Sequence, residues 1–316
     1  MPGKVPSSLD NWWCKPSTEQ AFLGFSYQVE GCPSRSQLTS DFKRMRQEFH
    51  SRYVRLYGAC DSGSFNDDLI ESAWEANVGI YPLVWFGFNS DNKWKSRKQK
   101  LLQAIKNNPK APYVVRGVVM GSEPLFDGVL PVQQLVGEME GIKQELKHFT
   151  DQKANGDSAM HVTSSDMSYS YQKFDSGSKI LQSATVLQAN VLPFFSQSAK
   201  FGNSADAMKG IKDTYSYLRD HSGGHKKIIF AQTGWPSTSE VWKGNSKDAV
   251  ASVASEEAYF KMLDKAACED STLSKGPQGG LGWFAHIWSD SGLPGWGVID
   301  SNGKPKFNFK PRTTCH

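Results

Sequence analysis

The segment Lys226–Ser237, with the sequence KKIIFAQTGWPS, decides how the fold is interpreted. Four apolar residues follow a basic pair, and Gly234 and Pro236 close the run. An apolar run of this length, bounded by turn residues, is typical of a parallel strand that is buried on both faces. We therefore expect the polar residue near its carboxyl end, Gln232, at the edge of a sheet where α/β proteins place their functional groups.

Seven further β-rich apolar segments alternate with helical patterns on either side of this strand. Together with Lys227–Ala231, the predicted strands are Ala21–Tyr27, Tyr53–Tyr57, Val78–Phe86, Tyr113–Met120, Ala159–Thr163, Thr185–Val191 and Leu281–Ile287. The predicted helices are Gln37–Phe49, Asp67–Asn77, Gln99–Lys106, Val132–Phe149, Ala205–Arg219 and Ser255–Ala267, with a polar loop up to Tyr171.

Eight βα units in 316 residues predict an α/β fold that is a single (β/α)8 TIM barrel. We expect one catalytic domain over residues 1–316, in which residues 1–20 form an N-terminal extension. An open doubly wound sheet is the alternative. It is less favoured because no predicted strand is followed by a G-x-G-x-x-G sequence or a P-loop.

The composition describes a globular chain, with 12% aromatic residues, ten Trp and 22% charged residues. Lys and Arg exceed Asp and Glu by 36 to 32, and this small excess does not suggest a nucleic-acid partner. The dense basic cluster Lys93–Lys100 is interpreted as the solvated start of a helix. No apolar run approaches the roughly 18–20 residues that span a bilayer.

Five cysteines, at positions 14, 32, 60, 268 and 315, show neither a C-x-x-C motif nor a zinc-binding spacing. Cys14 and Cys315 lie near the chain ends, where a disulfide would staple the termini. An odd count leaves one free thiol, and Cys60, just after an apolar strand, is the expected one. The cysteines favour a secreted protein, extracellular or in a cell wall. Residues 2–6 lack the apolar core of a signal peptide, as expected of a mature domain.

Residues that follow barrel strands share one face of the barrel, so they are the candidates for the functional site. They are mainly aromatic, acidic or amide-bearing: Tyr27, Gln28, Tyr57, Asp61, Trp85, Glu123, Asp166, Asn190, Gln232, Trp235, His286, Trp288 and Asp290. Such a set suits sugars, whose rings stack on aromatic side chains and whose hydroxyls pair with amides and carboxylates. From position alone, Glu123 is equally well explained as a catalytic acid or as an acid favoured by the next helix dipole.

Several segments resemble glycoside hydrolase family 17, the β-1,3-glucanases and related transglycosylases, and the resemblance extends over nearly the whole chain. They are TGWPS at 233–237, VMGSEPLF at 119–126, VRLYGACD at 54–61, QANVLPFF at 188–195 and, more weakly, WGVID at 296–300. The sequence GSE followed by Leu and an aromatic residue is similar to the fungal cell-wall branch. The resemblance implies a (β/α)8 barrel, a retaining mechanism on β-1,3-glucan, and no cofactor or metal. We expect a monomer.

The resemblance also implies roles for individual residues. Glu123, at the end of the fourth strand, matches the general acid/base, and position 232, at the end of the seventh, matches the nucleophilic glutamate. Residues that match or border the family's substrate groove are Tyr27, Tyr57, Ser122, Asn190, Phe194, Trp235 and Trp288. Ser122 stands where many relatives have Asn, which would alter a contact to the sugar 2-hydroxyl.

Gln232 is the second departure from the family pattern. In a retaining mechanism two carboxyl groups about 5–5.5 Å apart act as acid/base and nucleophile. An amide has no charge to stabilise an oxocarbenium ion, so we expect turnover to fall by orders of magnitude while sugar binding persists. Three explanations are open: an enzyme whose Glu has been replaced by Gln, a natural glucan-binding pseudo-enzyme, or an unrelated barrel. Endo attack, exo attack and transglycosylation are also left open.

Overall fold

Parallel strands run around a barrel in the computed structural model, which describes residues 4–88, 92–155 and 157–315. In chain order the strands are β1 (Ala21–Gln28), β2 (Tyr53–Tyr57), β3 (Gly79–Tyr81), β4 (Leu83–Val84), β5 (Gly117–Ser122), β6 (Lys153–Ala154), β7 (Asp157–Ser158), β8 (His161–Asp166), β9 (Leu187–Val191), β10 (Ile228–Thr233) and β11 (Gly282–Ala285). Strands β6 and β7 form a separate antiparallel pair.

The barrel sheet has the order β3-β2-β1-β11-β10-β9-β8-β5-β4. Its two ends, β3 and β4, are consecutive pieces of chain separated by Pro82, so they occupy one barrel position. The sheet closes here because the N–H of Val119 donates to the carbonyl of Pro82 at 2.9 Å, and the N–H of Arg116 donates to that of Ile80 at 2.9 Å. The expected (β/α)8 barrel is confirmed, with β5 and β10 as the fourth and seventh strands.

Helices cover the outside of the barrel. Their bounds are α1 (Arg35–Phe49), α2 (Phe65–Ala76), α3 (Lys93–Asn107), α4 (Ala111–Val114), α5 (Val132–Glu145), α6 (Lys147–Thr150), α7 (Ser168–Phe174), α8 (Lys179–Ser183), α9 (Ala205–Asp220), α10 (Val253–Glu269) and α11 (Ser271–Ser274), with 3-10 turns at Pro16–Thr18, Pro193–Phe195 and Pro277–Gly279. Ser34, Ser204 and Ser252 cap α1, α9 and α10 by accepting a backbone N–H. Within the described ranges, no helix has the length and apolarity needed to cross a membrane.

In two of the predicted strands a proline explains why the structure differs. The run Val78–Phe86 divides into β3 and β4 because Pro82 has no N–H to donate to a neighbouring strand. Strand β5 begins at Gly117 rather than Tyr113, since Ala111–Val114 forms a helical turn with Pro112 in its first turn, where the missing N–H costs nothing.

Three helical predictions also need revision. Helix α3 begins at Lys93, so most of the basic cluster lies inside it, with Trp94 buried. The predicted helix Val132–Phe149 is interrupted at Leu146, where α5 ends and α6 begins. The predicted polar loop before Tyr171 is helical over Ser168–Phe174.

The cysteine pairing differs from the expectation. Cys32 pairs with Cys60 and Cys268 with Cys315, each with a Cα–Cα distance of 5.0 Å. The expectation that Cys60 is free was wrong, because it follows β2 while Cys32 follows the adjacent β1, so the two thiols lie side by side. The free cysteine is the exposed Cys14. No disulfide joins the two termini, because Cys315 is paired with Cys268 in α10.

A buried charge cluster lies at the amino-terminal end of the barrel. Arg116 is fully buried, and its guanidinium contacts Glu19 at 3.2 Å and Asp157 at 2.7 Å. His161 Nε2 lies 3.0 Å from the same Asp157 carboxylate. Burial alone would raise the pKa of Glu19, but Arg116 and the hydrogen bond from Tyr53 outweigh it and hold that pKa below its usual value. The cluster therefore stabilises the end of the barrel opposite the predicted functional face.

Candidate active site

Glu123 directly follows β5 at the carboxyl edge of the barrel. Its φ is 60°, a left-handed conformation that costs a non-glycine residue roughly 1–2 kcal/mol. Its N–H donates to the carbonyl of Ser165 at 2.7 Å, and its own carbonyl accepts the N–H of Asp127 at 2.9 Å. Strained backbone of this kind concentrates at functional sites, where the surrounding structure holds it in place.

Asp166, at the end of β8, fixes the turn after Glu123. One carboxylate oxygen accepts the N–H of Leu125 at 2.7 Å, and the other accepts the N–H of Met167 at 2.8 Å. Burial raises the pKa of Asp166 to about 7, although these two hydrogen bonds favour the charged form. This acid therefore positions the turn that carries Glu123.

A chain of hydrogen bonds joins Glu123 to Gln232 across three strands. The amide Nδ2 of Asn190, on β9, donates to Glu123 Oε1 at 2.8 Å and to Ser122 Oγ at 3.1 Å. Ser122 Oγ in turn donates to Gln232 Oε1 at 3.5 Å, a long bond. Ser122, Asn190 and Gln232 are buried. The predicted acid, the residue in the nucleophile position and two predicted groove residues thus form one connected set.

Several buried polar atoms near this set have no hydrogen-bond partner within the described residues. They are Gln232 Nε2, Asn190 Oδ1, His286 Nδ1, and Arg55 Nε and Nη1. An unsatisfied buried polar group costs about 1–3 kcal/mol, so such groups are rare in folded proteins. Unpaired buried atoms also occur elsewhere in the described residues, but those beside Glu123 and Gln232 leave hydrogen-bonding capacity that a polar ligand could use.

The electrostatics of the site follow from burial. Burial raises the pKa of Glu123, while the hydrogen bond from Asn190 and the charge of Arg55 oppose the increase. Burial and the charge of Glu123 raise the pKa of Asp127 to about 6. Burial, reinforced by Arg55, lowers the pKa of His286 to about 3, so its imidazole is neutral. Glu123 therefore keeps its proton to a higher pH than an exposed glutamate does.

These groups face a cavity of about 180 Å³ at the carboxyl edge of the barrel, which we call the Glu123 cavity. Its lining residues are Tyr57, Trp85, Phe88, Ser122, Glu123, Asp127, Leu192, Phe195, Gln232, Trp242, His286, Leu293 and Trp296. The structure brings six predicted site residues to this wall: Tyr57, Trp85, Ser122, Glu123, Gln232 and His286. Asn190 contacts Glu123 directly.

Four predicted groove residues lie elsewhere. Trp235 is fully buried, donates from Nε1 to the carbonyl of Val250 at 2.8 Å, and packs edge-on against Phe194 at 5.4 Å between ring centroids. Both rings belong to the hydrophobic core. Tyr27 and Trp288 line a different cavity beside α1. A strand-end aromatic residue can point either to the mouth or to the core, and a linear pattern does not distinguish the two.

Some residues of the site were missed by sequence reasoning. Arg55 is a basic residue inside the apolar strand β2; it is fully buried and donates from Nη2 to Ser165 Oγ at 2.8 Å. A lone charge within an apolar strand was the signal that could have identified it. Asp127, Trp242 and Trp296 lie in loops, where no periodicity indicates which side chains turn inward.

The structure is similar to carbohydrate-active enzymes of known structure. A β-glucuronidase from Faecalibacterium prausnitzii matches with a TM-score of 0.61 and 13% identity over 91% of this chain and 47% of that one. A β-glucuronidase from Ruminococcus gnavus gives 0.60 and 12% over 90% and 47%. A fungal β-1,4-galactanase gives 0.53 and 14% over 89% and 91%. At these identities the likeness concerns the fold, and the chain spans about half the length of the glucuronidases.

A search among curated proteins finds no significant match. The family model of the BtgE/BtgC glycoside hydrolase domain matches residues 24–280, which include every barrel strand except the last and the start of the first. This agrees with the glycoside hydrolase class that the sequence motifs implied. The chain therefore belongs to the BtgE/BtgC glycoside hydrolase domain family.

Proposed function

We propose that this domain binds β-1,3-glucan in the Glu123 cavity, with Glu123 as the general acid/base of a retaining glycosidase and position 232 as the site of the nucleophile. Because Gln232 occupies that position, we propose that the chain binds glucan but turns it over poorly. The two disulfides suit an oxidising environment, which supports secretion.

The observation on which this proposal rests is that Glu123 and Gln232 share one cavity. They end the fourth and seventh strands of the barrel and are connected through Ser122. Retaining glycosidases need two side chains on opposite sides of the scissile bond. An amide occupies nearly the same volume as a carboxyl group, so the substitution preserves the shape of the site.

The cavity wall favours a neutral sugar. Its aromatic members include Tyr57, Trp85, Trp242 and Trp296, whose rings offer apolar faces to a pyranose. Arg55 is buried behind the wall, and burial lowers its pKa to about 10. The cavity therefore has the mixed aromatic and polar character of a saccharide site.

The chemistry assigned to Glu123 follows from its raised pKa. A protonated carboxyl group can donate its proton to the glycosidic oxygen, which allows the leaving sugar to depart. In the same step a nucleophile must form a covalent bond to the anomeric carbon as the bond to the leaving oxygen breaks. Gln232 cannot supply it, because its amide oxygen carries no charge and its nitrogen is a poor nucleophile.

The test is the single change Gln232→Glu, assayed on a laminarin-type β-1,3-glucan by reducing ends and product chromatography. We expect the variant to exceed the unchanged chain by about 10³-fold or more in kcat, the scale seen when other nucleophiles are removed. The control is the double change Gln232→Glu with Glu123→Gln, which should be inactive. The product pattern also separates hydrolysis from transglycosylation.

The alternative function is a natural glucan-binding protein without catalysis. The observation that favours it is that the Gln232 amide keeps a donor for a sugar hydroxyl in the nucleophile position, since its buried Nε2 has no hydrogen-bond partner within the described residues. This alternative requires that the Gln232→Glu variant stay inert on every β-glucan tested while the unchanged chain binds them. If neither form binds a glucan, both functions are wrong.

A further inference from the structure

We propose that a cavity at the amino-terminal end of the barrel binds a small ligand that carries a carboxylate on a flat ring. We call it the Trp12 cavity; its wall includes Trp12, Cys14, Arg46, His50, Arg52 and Asn77. It lies where Tyr53 begins β2 and Gly79 begins β3, at the edge opposite the Glu123 cavity. Its volume is about 850 Å³, within the range of about 300–1,000 Å³ that is usual for small-molecule sites. The inference concerns a second site and is independent of the proposed glucan function.

Basic side chains give this wall a positive charge. Arg46, His50 and Arg52 line it, and no acidic residue does among the residues that the structure describes. None of the three forms an ion pair within the described ranges. Glu19, the acid of the buried cluster at the same end of the barrel, is already paired with Arg116 at 3.2 Å. The wall therefore favours an anion over a neutral or cationic ligand.

Backbone carbonyls hold the two arginines, and they satisfy hydrogen bonds without neutralising a charge. Arg46 Nη1 donates to the carbonyl of Ser51 at 3.2 Å, and Arg52 donates to those of Thr18 at 2.6 Å and Gln20 at 3.0 Å. Arg46 also lies in the last turn of α1, whose carboxyl end carries the equivalent of about half a negative charge. This partial charge is smaller than the charge of one guanidinium, so it accounts for Arg46 only in part and leaves Arg52 uncompensated.

The wall also has hydrogen-bond donors to spare. Arg52 Nε and Trp13 Nε1 are shielded from solvent and have no hydrogen-bond partner within the described residues. Both residues line the Trp12 cavity, and Trp13 is only 5% exposed. Both atoms are donors and cannot accept, whereas a carboxylate offers about four lone-pair positions and donates nothing. A ligand rich in acceptors is therefore the complement of this wall.

Trp12 supplies the flat apolar part of the site. Its ring is parallel to that of Trp74 within 9°, with 6.2 Å between centroids, and its Nε1 donates to the carbonyl of Tyr113 at 2.8 Å. These contacts fix the ring, which stays partly exposed in the cavity wall. A flat ligand ring can pack on such a surface while its carboxylate reaches the arginines. Aromatic acids and uronic acids share this chemistry.

Cys14 provides a reporter inside the cavity, because it lies in the wall and its thiol is free and exposed. The thiolate attacks one sulfur of an aromatic disulfide, forms a mixed disulfide and releases the other half as a coloured thiolate. The two reagents are 5,5′-dithiobis(2-nitrobenzoate), with a carboxylate on each ring, and the neutral 4,4′-dithiodipyridine. The ratio of their rate constants is the quantity measured, since a change in the thiolate fraction affects both alike.

Arg46→Gln should lower this ratio by about tenfold, the lower end of the range for charge-steered association. Arg46→Lys keeps the charge and should keep the ratio. The matched control is Lys43→Gln, which removes an exposed positive charge from the same helix outside the Trp12 cavity and should change the ratio little. A ratio that is the same in Arg46→Gln and in the unchanged chain would overturn the inference.

Protection of Cys14 tests binding at equilibrium. Benzoate and glucuronate should each slow labelling by 4,4′-dithiodipyridine, whereas their neutral counterparts benzamide and glucose should not. In Arg46→Gln the protecting concentration should rise by about tenfold, the change that corresponds to the loss of one charge-assisted contact. The carboxylate that protects at the lower concentration identifies an aromatic acid or a uronic acid as the ligand. If neither carboxylate protects, or if the neutral counterparts protect equally, the inference is wrong.

Discussion

At the scale of the residue, the pKa of Glu123 depends on a few neighbouring groups. Burial favours the neutral acid, whereas the Asn190 amide and the Arg55 charge favour the carboxylate. Placing a second carboxyl group at position 232 would add a nearby negative charge, which raises the pKa of Glu123 further. The protein would then have one carboxyl group that is protonated and one that is ionised, the arrangement that retaining glycosidases use.

The pH dependence of the Gln232→Glu variant tests this assignment. An acid must be protonated to act, so kcat/KM should fall as pH rises through the pKa of Glu123, above the ordinary value of about 4.3 for Glu. Asn190→Ala removes a hydrogen bond that lowers this pKa, so in that background the alkaline limb should move to higher pH and the maximum should fall. Asn203→Ala, at an exposed position, is the control. An alkaline limb that moves to lower pH would contradict the assignment.

The sequence indicated Glu123 and Gln232 as candidates because each lies near the carboxyl end of an apolar strand, but for Glu123 it was the family resemblance that favoured a catalytic role. It was not sufficient for Trp235 and Phe194, since rotation of a few backbone bonds after a strand decides whether a ring faces the mouth or the core. Arg55 was missed although a single basic residue within an apolar strand indicates a special environment. The roles of all these residues stay predictions until they are tested by substitution.

At the scale of the element, β5 has a charged residue next to each of its ends, Arg116 before it and Glu123 after it. Ser122 lies at its carboxyl end beside Glu123, and Arg116 directly precedes its amino end. Arg116 is buried, and its ion-pair partner Glu19 is only 1% exposed. Neutralising one member of a buried pair is costly because its partner loses a compensating charge, although Asp157 would still contact Arg116 at 2.7 Å.

Glu19→Gln is therefore expected to lower the free energy of unfolding by up to about 3 kcal/mol, the lower end of the range for a buried charge left without a partner, measured by urea denaturation at neutral pH. The matched control is Asp213→Asn, which breaks an exposed i,i+4 pair with Lys209 and should leave the free energy of unfolding nearly unchanged. Because the cluster lowers the pKa of Glu19, its stabilising effect is present above the usual carboxyl pKa and lost as pH falls through the lowered one. Equal losses for the two variants would contradict this account.

Element boundaries show which local signals were reliable. The bounds of β2 were predicted correctly, and the inward residues of α1, Leu38, Phe42 and Met45, are all buried. The third barrel strand was predicted as one run, whereas the structure divides it into β3 and β4 at Pro82. The start of α3 was placed too late, because Trp94 is the single inward apolar residue in its first two turns and gives no visible period.

At the scale of the whole molecule, two disulfides restrain different regions. Cys32–Cys60 joins the segments that follow β1 and β2. Cys268–Cys315 fastens the end of the described chain to α10. The predicted barrel already made β1 and β2 neighbours, but the paths of the loops after them decide whether Cys32 and Cys60 meet, and the order of segments does not give those paths.

Removing either disulfide should lower the free energy of unfolding by about 2–4 kcal/mol, measured by denaturant titration under non-reducing conditions. The two double variants are Cys32→Ser with Cys60→Ser and Cys268→Ser with Cys315→Ser. The matched control is Cys14→Ser, which changes the exposed free thiol and breaks no disulfide, and should leave the free energy of unfolding unchanged. Equal stabilities for the control and both double variants would contradict this expectation.

The position of the unpaired thiol has a practical consequence for binding measurements. Cys14 is exposed and lies beside Tyr53 and Gly79, the first residues of β2 and β3, on the edge of the barrel opposite the Glu123 cavity. The other four cysteines are engaged in disulfides. A maleimide-linked biotin would therefore attach at one known point and tether the protein to a sensor chip with its barrel mouth facing the solution, where long insoluble glucan fragments could reach it.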